Sequence, residues 1–325
     1  MIHRVTRLSR TLLLALAAAT LPTLAFAQLP DRPIRIVVPF APGGTSDIVA
    51  RLMAQGAGPF LTAGAVVENK PGAAGNIGTA EVARSVPDGT TIVQCTIGTC
   101  GSGPSFFKNP GYDLAKDFAP VILTGAVRNI MVVRNSLPAK TLPEVLALAK
   151  TTQGLIYGSS GAGASNHLGP ELLRTQLGLN WVHVPYRGSG PAITDLIGGR
   201  IDVFFDNLPS ILPQIQAGAV RPIAAVSAER LAELPNVPTF AESGVPGIVI
   251  DSWFGFLAPA NTPPGVLKAL NAAFNKALED PAIRSRFQEV SVIPLGGPPE
   301  RMGDQVRSET ARWGEVIRAN NFSAD

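Results

Sequence analysis

Apolar residues run unbroken from Ile34 to Val38 except for Arg35, and the run stops at Pro39 and Pro42 before Gly43 and Gly44. The next ten residues, Ser46-Asp47-Ile48-Val49-Ala50-Arg51-Leu52-Met53-Ala54-Gln55 after Thr45, change to a helical period. This pattern predicts a buried strand, a glycine turn and a helix start. The alternation continues along the chain. Short β-branched runs predict strands at 65–68, 90–95, 155–157, 181–184, 202–205 and 222–226. Helix-period stretches predict helices at 76–85, 142–150, 165–177, 190–197 and 209–217. Strands alternating with helices imply parallel sheets covered on both faces, with ligands bound beyond the carboxyl ends of the strands. After Ser252-Trp253-Phe254-Gly255-Phe256-Leu257-Ala258-Pro259 come three helix-like stretches, 263–278, 281–289 and 298–320, each with proline in or near its first turn. This last part is expected to return and pack on the first half.

The residues before this pattern belong to a different kind of segment. Arg4, Arg7 and Arg10 precede an apolar stretch from Thr11 to Leu24, followed by Ala25-Phe26-Ala27. A charged start, an apolar middle and an A-x-A site predict a secretory signal peptide over 1–27, cleaved after Ala27, and therefore a periplasmic protein. The stretch is short for a membrane span and contains Pro22; an uncleaved anchor is the competing reading. The arginines stand singly, unlike a twin-arginine signal, and no cysteine near the cut offers a lipid anchor.

Export changes the charge balance. Removing three arginines and no acids takes the formal charge from +3 to zero, 24 basic against 24 acidic residues. No basic footprint for nucleic acid remains. The remaining 298 of 325 residues exceed what one core usually needs, so two lobes are expected. Cys95 and Cys100 have four residues between them, and in an oxidising compartment they either bond or stay apart, since spacing does not give the Cα separation. Only His167 and His183 remain as soft partners for a metal, so neither metal nor cofactor is expected.

A strand that delivers a glycine turn onto a helix start leaves backbone N–H groups open to an anion. A second such loop is Gly158-Ser159-Ser160-Gly161-Ala162-Gly163-Ala164-Ser165-Asn166-His167, with Ser165 as the expected N-cap. Either these two loops each hold one end of a small molecule, or both are merely tight turns. Asp206 at a strand end anchors a water, meets a ligand amino group, or caps the helix that follows. Trp181, His183 and Tyr186 read as sheet packing, Trp253 and Phe254 as core or hinge packing, and Arg187 as an exposed turn residue or a phosphate contact. The chain lacks G-x-S-x-G, G-x-G-x-x-G and P-loop patterns, so no enzyme is expected.

The segments PFAPGGTSD, VVENKPGAAGNIG, VPDGTTI, YDLAKDFAPV, SSGAGASNHL, HVPYRGSGPAITDLIGG, IDVFFDNLPS, ELPNVPTFAESGVPG and SWFGFLAPANTPP together resemble the Bug family of extracytoplasmic solute-binding receptors, in order and over nearly the whole mature chain. The resemblance implies an α/β fold of the type II periplasmic binding protein kind, with two lobes of mostly parallel sheet flanked by helices and a ligand cleft between them. It places one lobe at 28–127 plus 250–325 and the other at 128–249. It carries ligand-binding roles onto Phe40, Ala41, Pro42, Gly43, Gly44, Thr45, Ser46, Asp47, Asn76, Thr96, Ser160, Gly161, Ala162, Gly163, Ser165, His167 and Asp206. It implies a carboxylate held by N–H groups, hydroxyls and waters rather than by a salt bridge, and neither loop contains Lys or Arg. The rest of the cleft is expected to be lined by Phe40, the 96–102 loop, Asp206 and Asn207. The implied partners are a small carboxylate and the permease of a tripartite tricarboxylate-type transporter. A membrane sensor as partner and an uncharged amide as ligand stay open, and a monomer is the default. Gln55-Gly56-Ala57-Gly58-Pro59-Phe60, Ala63-Gly64-Ala65 and the Cys95 to Gly101 segment depart from the family pattern, the last where it meets the cleft.

Overall fold

The computed structural model describes residues 29–151 and 153–324, so the expected signal peptide and its cleavage site lie outside the described residues. The strands are β1 (Ile34–Val38), β2 (Ala65–Asn69), β3 (Thr91–Thr96), β4 (Phe118–Arg134), β5 (Leu155–Ser159), β6 (Trp181–Pro185), β7 (Val203–Asn207), β8 (Val220–Ala225), β9 (Asp251–Pro259) and the short β10 (Ile293–Pro294). The helices of eight residues or more are α1 (Thr45–Ala57), α2 (Asn76–Ala83), α3 (Leu142–Ala149), α4 (Ser165–Leu177), α5 (Ser189–Ile197), α6 (Leu208–Gln216), α7 (Pro264–Glu279), α8 (Pro281–Glu289) and α9 (Pro299–Asn320).

The strands form a mixed sheet in the order β2-β1-β3-β9-β4-β7-β5-β6, with β8 and β10 added to β4. At one end β1 pairs in parallel with β2 and β3, and at the other β5 pairs in parallel with β6 and β7. Between them β9 and β4 run antiparallel to their neighbours. The long β4 joins the halves by changing partners: Phe118 to Arg128 pair with β9, and Asn129 onward with β7.

Neither β4 nor β9 is among the strands that the hydrophobic pattern predicts. The reason is physical. β4 is interrupted by Pro120, Gly125, Arg128 and Asn129, and its register with β9 shifts at Pro120 to Ile122 and again at Leu123 to Gly125. Bulges of this kind accommodate proline and erase a regular period. The other predicted elements appear within a few residues of their expected bounds, where element ends are least determined. One difference matters: the residue before α4 is Ala164, and Ser165 is already helical.

Both halves are buried on two faces. Alternate residues of β1 point opposite ways: Ile36 and Val38 join Met53, Phe256 and Phe274, whereas Val37 joins Trp253, Met302 and Trp313. In the second half Met131 and Val133 join Tyr157 and Phe205, while Ile130 and Val132 join Phe204 and Ile211. Burial of each such side chain contributes about 1.5–3 kcal/mol, which explains why these strands read as nearly continuous apolar runs. Residues of α7, α8 and α9, including Leu270, Phe287 and Ile317, belong to the clusters that cover the first half.

Candidate functional site

Four helices begin on one small cavity between the halves. Its wall contains Gly44, Thr45 and Ser46 at the start of α1, Ala164 and Ser165 at α4, Gly188 and Ser189 at α5, and Asn207 just before α6. Phe40, Thr96, Ile97, Gly98, Ser160, Ser252, Trp253 and Phe254 complete it. Gly44, Ala164 and Gly188 have no side chain able to cap, and Asn207 does not cap, so none of the four N-caps accepts a side-chain hydrogen bond from its helix. First-turn N–H groups have no partner inside a helix, and helix dipoles place partial positive charge there. Pro209 in the first turn of α6 and Pro191 in that of α5 have no N–H, so the donors come chiefly from α1 and α4, with Ser189 and Gly190 of α5. Among the described residues, no lysine or arginine lines the cavity. Its volume is ≈ 40 Å³.

The halves close on each other around this space at backbone distance. Ala41 N–H donates to the Arg187 carbonyl at 2.8 Å. Glycines make the approach possible: a Cβ on Gly190 would stand 2.5 Å from the Pro42 carbonyl oxygen, and one on Gly161 would stand 3.2 Å from the Ala74 Cα. Gly188 also has φ +147°, where a side chain is strained, and its Cβ would meet Ala41 N at 3.0 Å. The Ser102 hydroxyl donates across to the Gly163 carbonyl at 2.5 Å.

Beneath the wall, polar side chains hold the loops in place. Asp47 accepts from Gly43 N–H at 3.2 Å and from Asn69 Nδ2 at 3.1 Å, while Asn69 also donates to the Phe40 carbonyl at 3.0 Å. Asn166 Oδ1 accepts from both the N–H and the hydroxyl of Ser160, each at 3.0 Å. His167 Nδ1 accepts from Gly163 N–H at 2.9 Å, and its ring stacks on His183 at 4.0 Å. His183 Nε2 lies 2.6 Å from the Ser159 hydroxyl, which accepts from Gly161 N–H at 3.2 Å. Burial holds both imidazoles neutral: His167 is pushed down to about 4, helped by Arg174, and His183 to about 3, helped by its neighbour His167. On the opposite side Glu309 accepts from the indole N–H groups of Trp253 and Trp313 at 3.2 and 3.1 Å, which fixes Trp253 in the wall.

Asp206 is fully buried behind the wall. It accepts from the Ser189 hydroxyl at 2.7 Å and the Ser210 hydroxyl at 2.6 Å, and Ser210 lies 2.9 Å from the Thr45 hydroxyl of the other half. Burial raises the Asp206 carboxyl to about 7, against the opposing pull of Ser210, Ser189 and the Asn207 N–H.

The structure therefore separates the expected site residues into two groups. Phe40, Gly44, Thr45, Ser46, Thr96, Ser160 and Ser165 lie in the wall. Ala41, Pro42, Gly43, Asp47, Asn76, Gly161, Ala162, Gly163, His167 and Asp206 do not line the cavity. Several of these brace the lining residues, as Asp47, His167 and Asp206 do. Asn76 accepts from the Tyr112 hydroxyl at 3.0 Å. Asn207 and the start of the 96–102 segment are on the wall, as the sequence suggests. Gly188, Ser189, Ser252, Trp253 and Phe254 are wall residues that the sequence reading does not single out for binding. The signal for the first pair was present: Arg187-Gly188-Ser189-Gly190 is a third glycine turn onto a helix. Cys95 and Cys100 are bonded, and Thr96, Ile97 and Gly98 of the wall lie inside the loop they close.

Residues 49–322 match the family described as tripartite tricarboxylate transporter family receptor. The structure of the periplasmic binding protein BugD superposes with a TM-score of 0.87 at 35% identity, covering 90% of this chain and 99% of that one. Rpa4515 of R. palustris, solved with adipate, gives 0.86 at 36% identity, covering 90% and 99%. MatC from Rhodopseudomonas palustris, with bound malate, gives 0.85 at 31% identity, covering 89% and 100%. Among the described residues no helix is long and apolar enough to cross a membrane. A cavity between two α/β halves, walled by uncapped helix starts, thus sits in a chain that belongs to the receptors of the tripartite tricarboxylate transporter family.

Proposed function

We propose that this chain is an extracytoplasmic receptor that closes on a small carboxylate and delivers it to the permease of a tripartite tricarboxylate-type transporter. The observation that carries this reading is the convergence of uncapped helix starts on a cavity that, among the described residues, no lysine or arginine lines. Backbone N–H groups give charge-assisted hydrogen bonds to a carboxylate without ordering a long cationic side chain. The adipate and malate bound by the two relatives point to the same ligand class. Export by cleavage after Ala27, a monomeric state, and lobes at 28–127 plus 250–325 and at 128–249 belong to this proposal. In its support, β4 changes partners between Arg128 and Asn129, and the chain returns in β9 at Asp251. Closure follows from a ligand that binds the closed form better than the open one.

A second ligand class, an uncharged amide, is favoured by the same lack of a cationic side chain in the wall. A membrane sensor as the reader of the closed form is the alternative partner. Thermal unfolding of residues 28–325 with mono-, di- and tricarboxylates, amino acids and amides separates the ligand classes. A ligand at about 100 times its Kd adds about 2.7 kcal/mol, so a carboxylate should raise the midpoint by several degrees. A rise with amides alone, or with no compound in ligand-free protein, would sink the carboxylate reading.

A further inference from the structure

Three of the seven hydroxyl groups of the wall, on Thr45, Ser160 and Ser189, have a definite polarity, which follows from counting their protons; Ser165 and Ser252, 3.1 Å apart, use one proton between them and keep the other free. Each serine or threonine hydroxyl has one proton to give and two lone pairs. Asn166 Oδ1 faces the Ser160 N–H, which can only donate, and this fixes the oxygen of the amide at that position. The Ser160 hydroxyl, 3.0 Å from the same oxygen, therefore also gives its proton inward. Ser189 gives its proton to Asp206, and Ser210 gives its proton to the other carboxylate oxygen. With the Ser210 proton committed, the 2.9 Å contact between Ser210 and Thr45 is made by the Thr45 proton. Three wall hydroxyls, on Thr45, Ser160 and Ser189, thus have their protons turned away from the cavity and offer it lone pairs only.

We infer that the cavity recognises two ends of its ligand by opposite chemistry: helix-start N–H groups hold a carboxylate, while Thr45, Ser160 and Ser189 accept from an N–H or O–H group elsewhere on the same molecule. The preferred substrates are hydroxy or amino acids rather than plain diacids of the same length. Asp206 acts as a positioning residue that sets this polarity through Ser189 and Ser210, and touches no ligand itself. The inference rests on the carboxylate-receptor reading and narrows it. A buried acceptor left without a donor carries the full cost of its desolvation, so a plain diacid is disfavoured and not merely less helped.

The test is calorimetric titration of the mature chain at about pH 8, above the value near 7 to which burial pushes Asp206. The probes are succinate, L-malate, D-malate and L-aspartate, with adipate and 2-aminoadipate as a longer pair. In the native protein the best donor-bearing acid of a set should bind at least about ten-fold more tightly than its plain diacid. Asp206→Asn keeps the shape, but its amide accepts from only one of the two hydroxyls: Ser210 has a second acceptor in the Asn207 carbonyl at 3.0 Å and Ser189 has none, so the NH2 that faces Ser189 turns that proton back to the cavity. It should cut the preference by about three-fold or more, and Ser189→Ala, which removes one acceptor, should do the same. Plain diacids binding as tightly as their hydroxy and amino partners would overturn the inference and leave the receptor reading standing. Binding by none of the acids would overturn both.

Discussion

Gly190→Ala should weaken ligand binding by about 10- to 100-fold, because an overpacked contact costs about 1–3 kcal/mol and each 1.4 kcal/mol is ten-fold. The added Cβ would stand 2.5 Å from the Pro42 carbonyl oxygen, on the far side of the closed cavity. That oxygen is backbone on a loop braced by Asp47 and Asn69, so it has little freedom to retreat. The clash exists only when the halves are together. In an opened molecule the same substitution replaces glycine by a better helix former, worth up to about 1 kcal/mol. The unliganded variant should therefore unfold no earlier than the native protein while binding is weakened. Titration and thermal unfolding of the two proteins check this. Undiminished affinity would mean that binding does not require the approach of Gly190 to Pro42.

Acid should destabilise the fold well above the range of ordinary carboxylates. His167 and His183 stay neutral in the folded protein down to about 4 and about 3, whereas free imidazoles take up protons near 6.5. Around them stand Arg174, Glu171, Tyr157, Ser159 and Phe106. His167 Nδ1 is already occupied as the acceptor for Gly163, so protonation there would break the second loop. Both folded pKa values lie below the unfolded one. Their contribution to stability is therefore complete above about pH 6.5 and is lost as the pH falls below it. Asp206 opposes this: its folded carboxyl takes a proton near 7, the unfolded one only near 3.9. At pH 5 the unfolded chain binds two extra protons on the histidines and the folded chain one on Asp206. Two minus one leaves about one proton taken up on unfolding, or about 1.4 kcal/mol lost per pH unit. Denaturant unfolding from pH 6.5 down to 5.0 reads the approach to this slope, which is reached only near pH 5 because the unfolded imidazoles are half protonated at about 6.5. Asp206→Asn should steepen it towards about 2.8 kcal/mol per unit, because only the histidine protons remain. A flat profile in both proteins would show that the histidine pair does not resist charging.

What could be read from the chain and what could not have different physical origins. A strand, a glycine turn and a helix start are local, so β1 with α1 and β5 with α4 are visible in the residues themselves. β4 is not local in this sense. Its 17 residues change partners midway, and Pro120 and Asn129 sit in it because bulges and a switch of neighbour allow them. β9 is buried on both faces and has no polar alternation to betray it. The site shows the same limit. A polar residue next to a binding loop looks alike in sequence whether it faces the ligand or holds the loop from behind. Asp47, His167 and Asp206 stand behind the wall, while Ser252, which looks unremarkable in sequence, stands in it. Only the closed arrangement of the two halves separates these roles.

The most direct test of the account is amide NMR of the receptor, titrated with the acid that most raises its unfolding midpoint. A carboxylate oxygen accepting from helix-start N–H groups should move the amide protons of Thr45, Ser46, Ser165 and Ser189 downfield together, in proportion to the bound fraction. Saturable binding with those four amides unmoved would contradict capture at the helix starts.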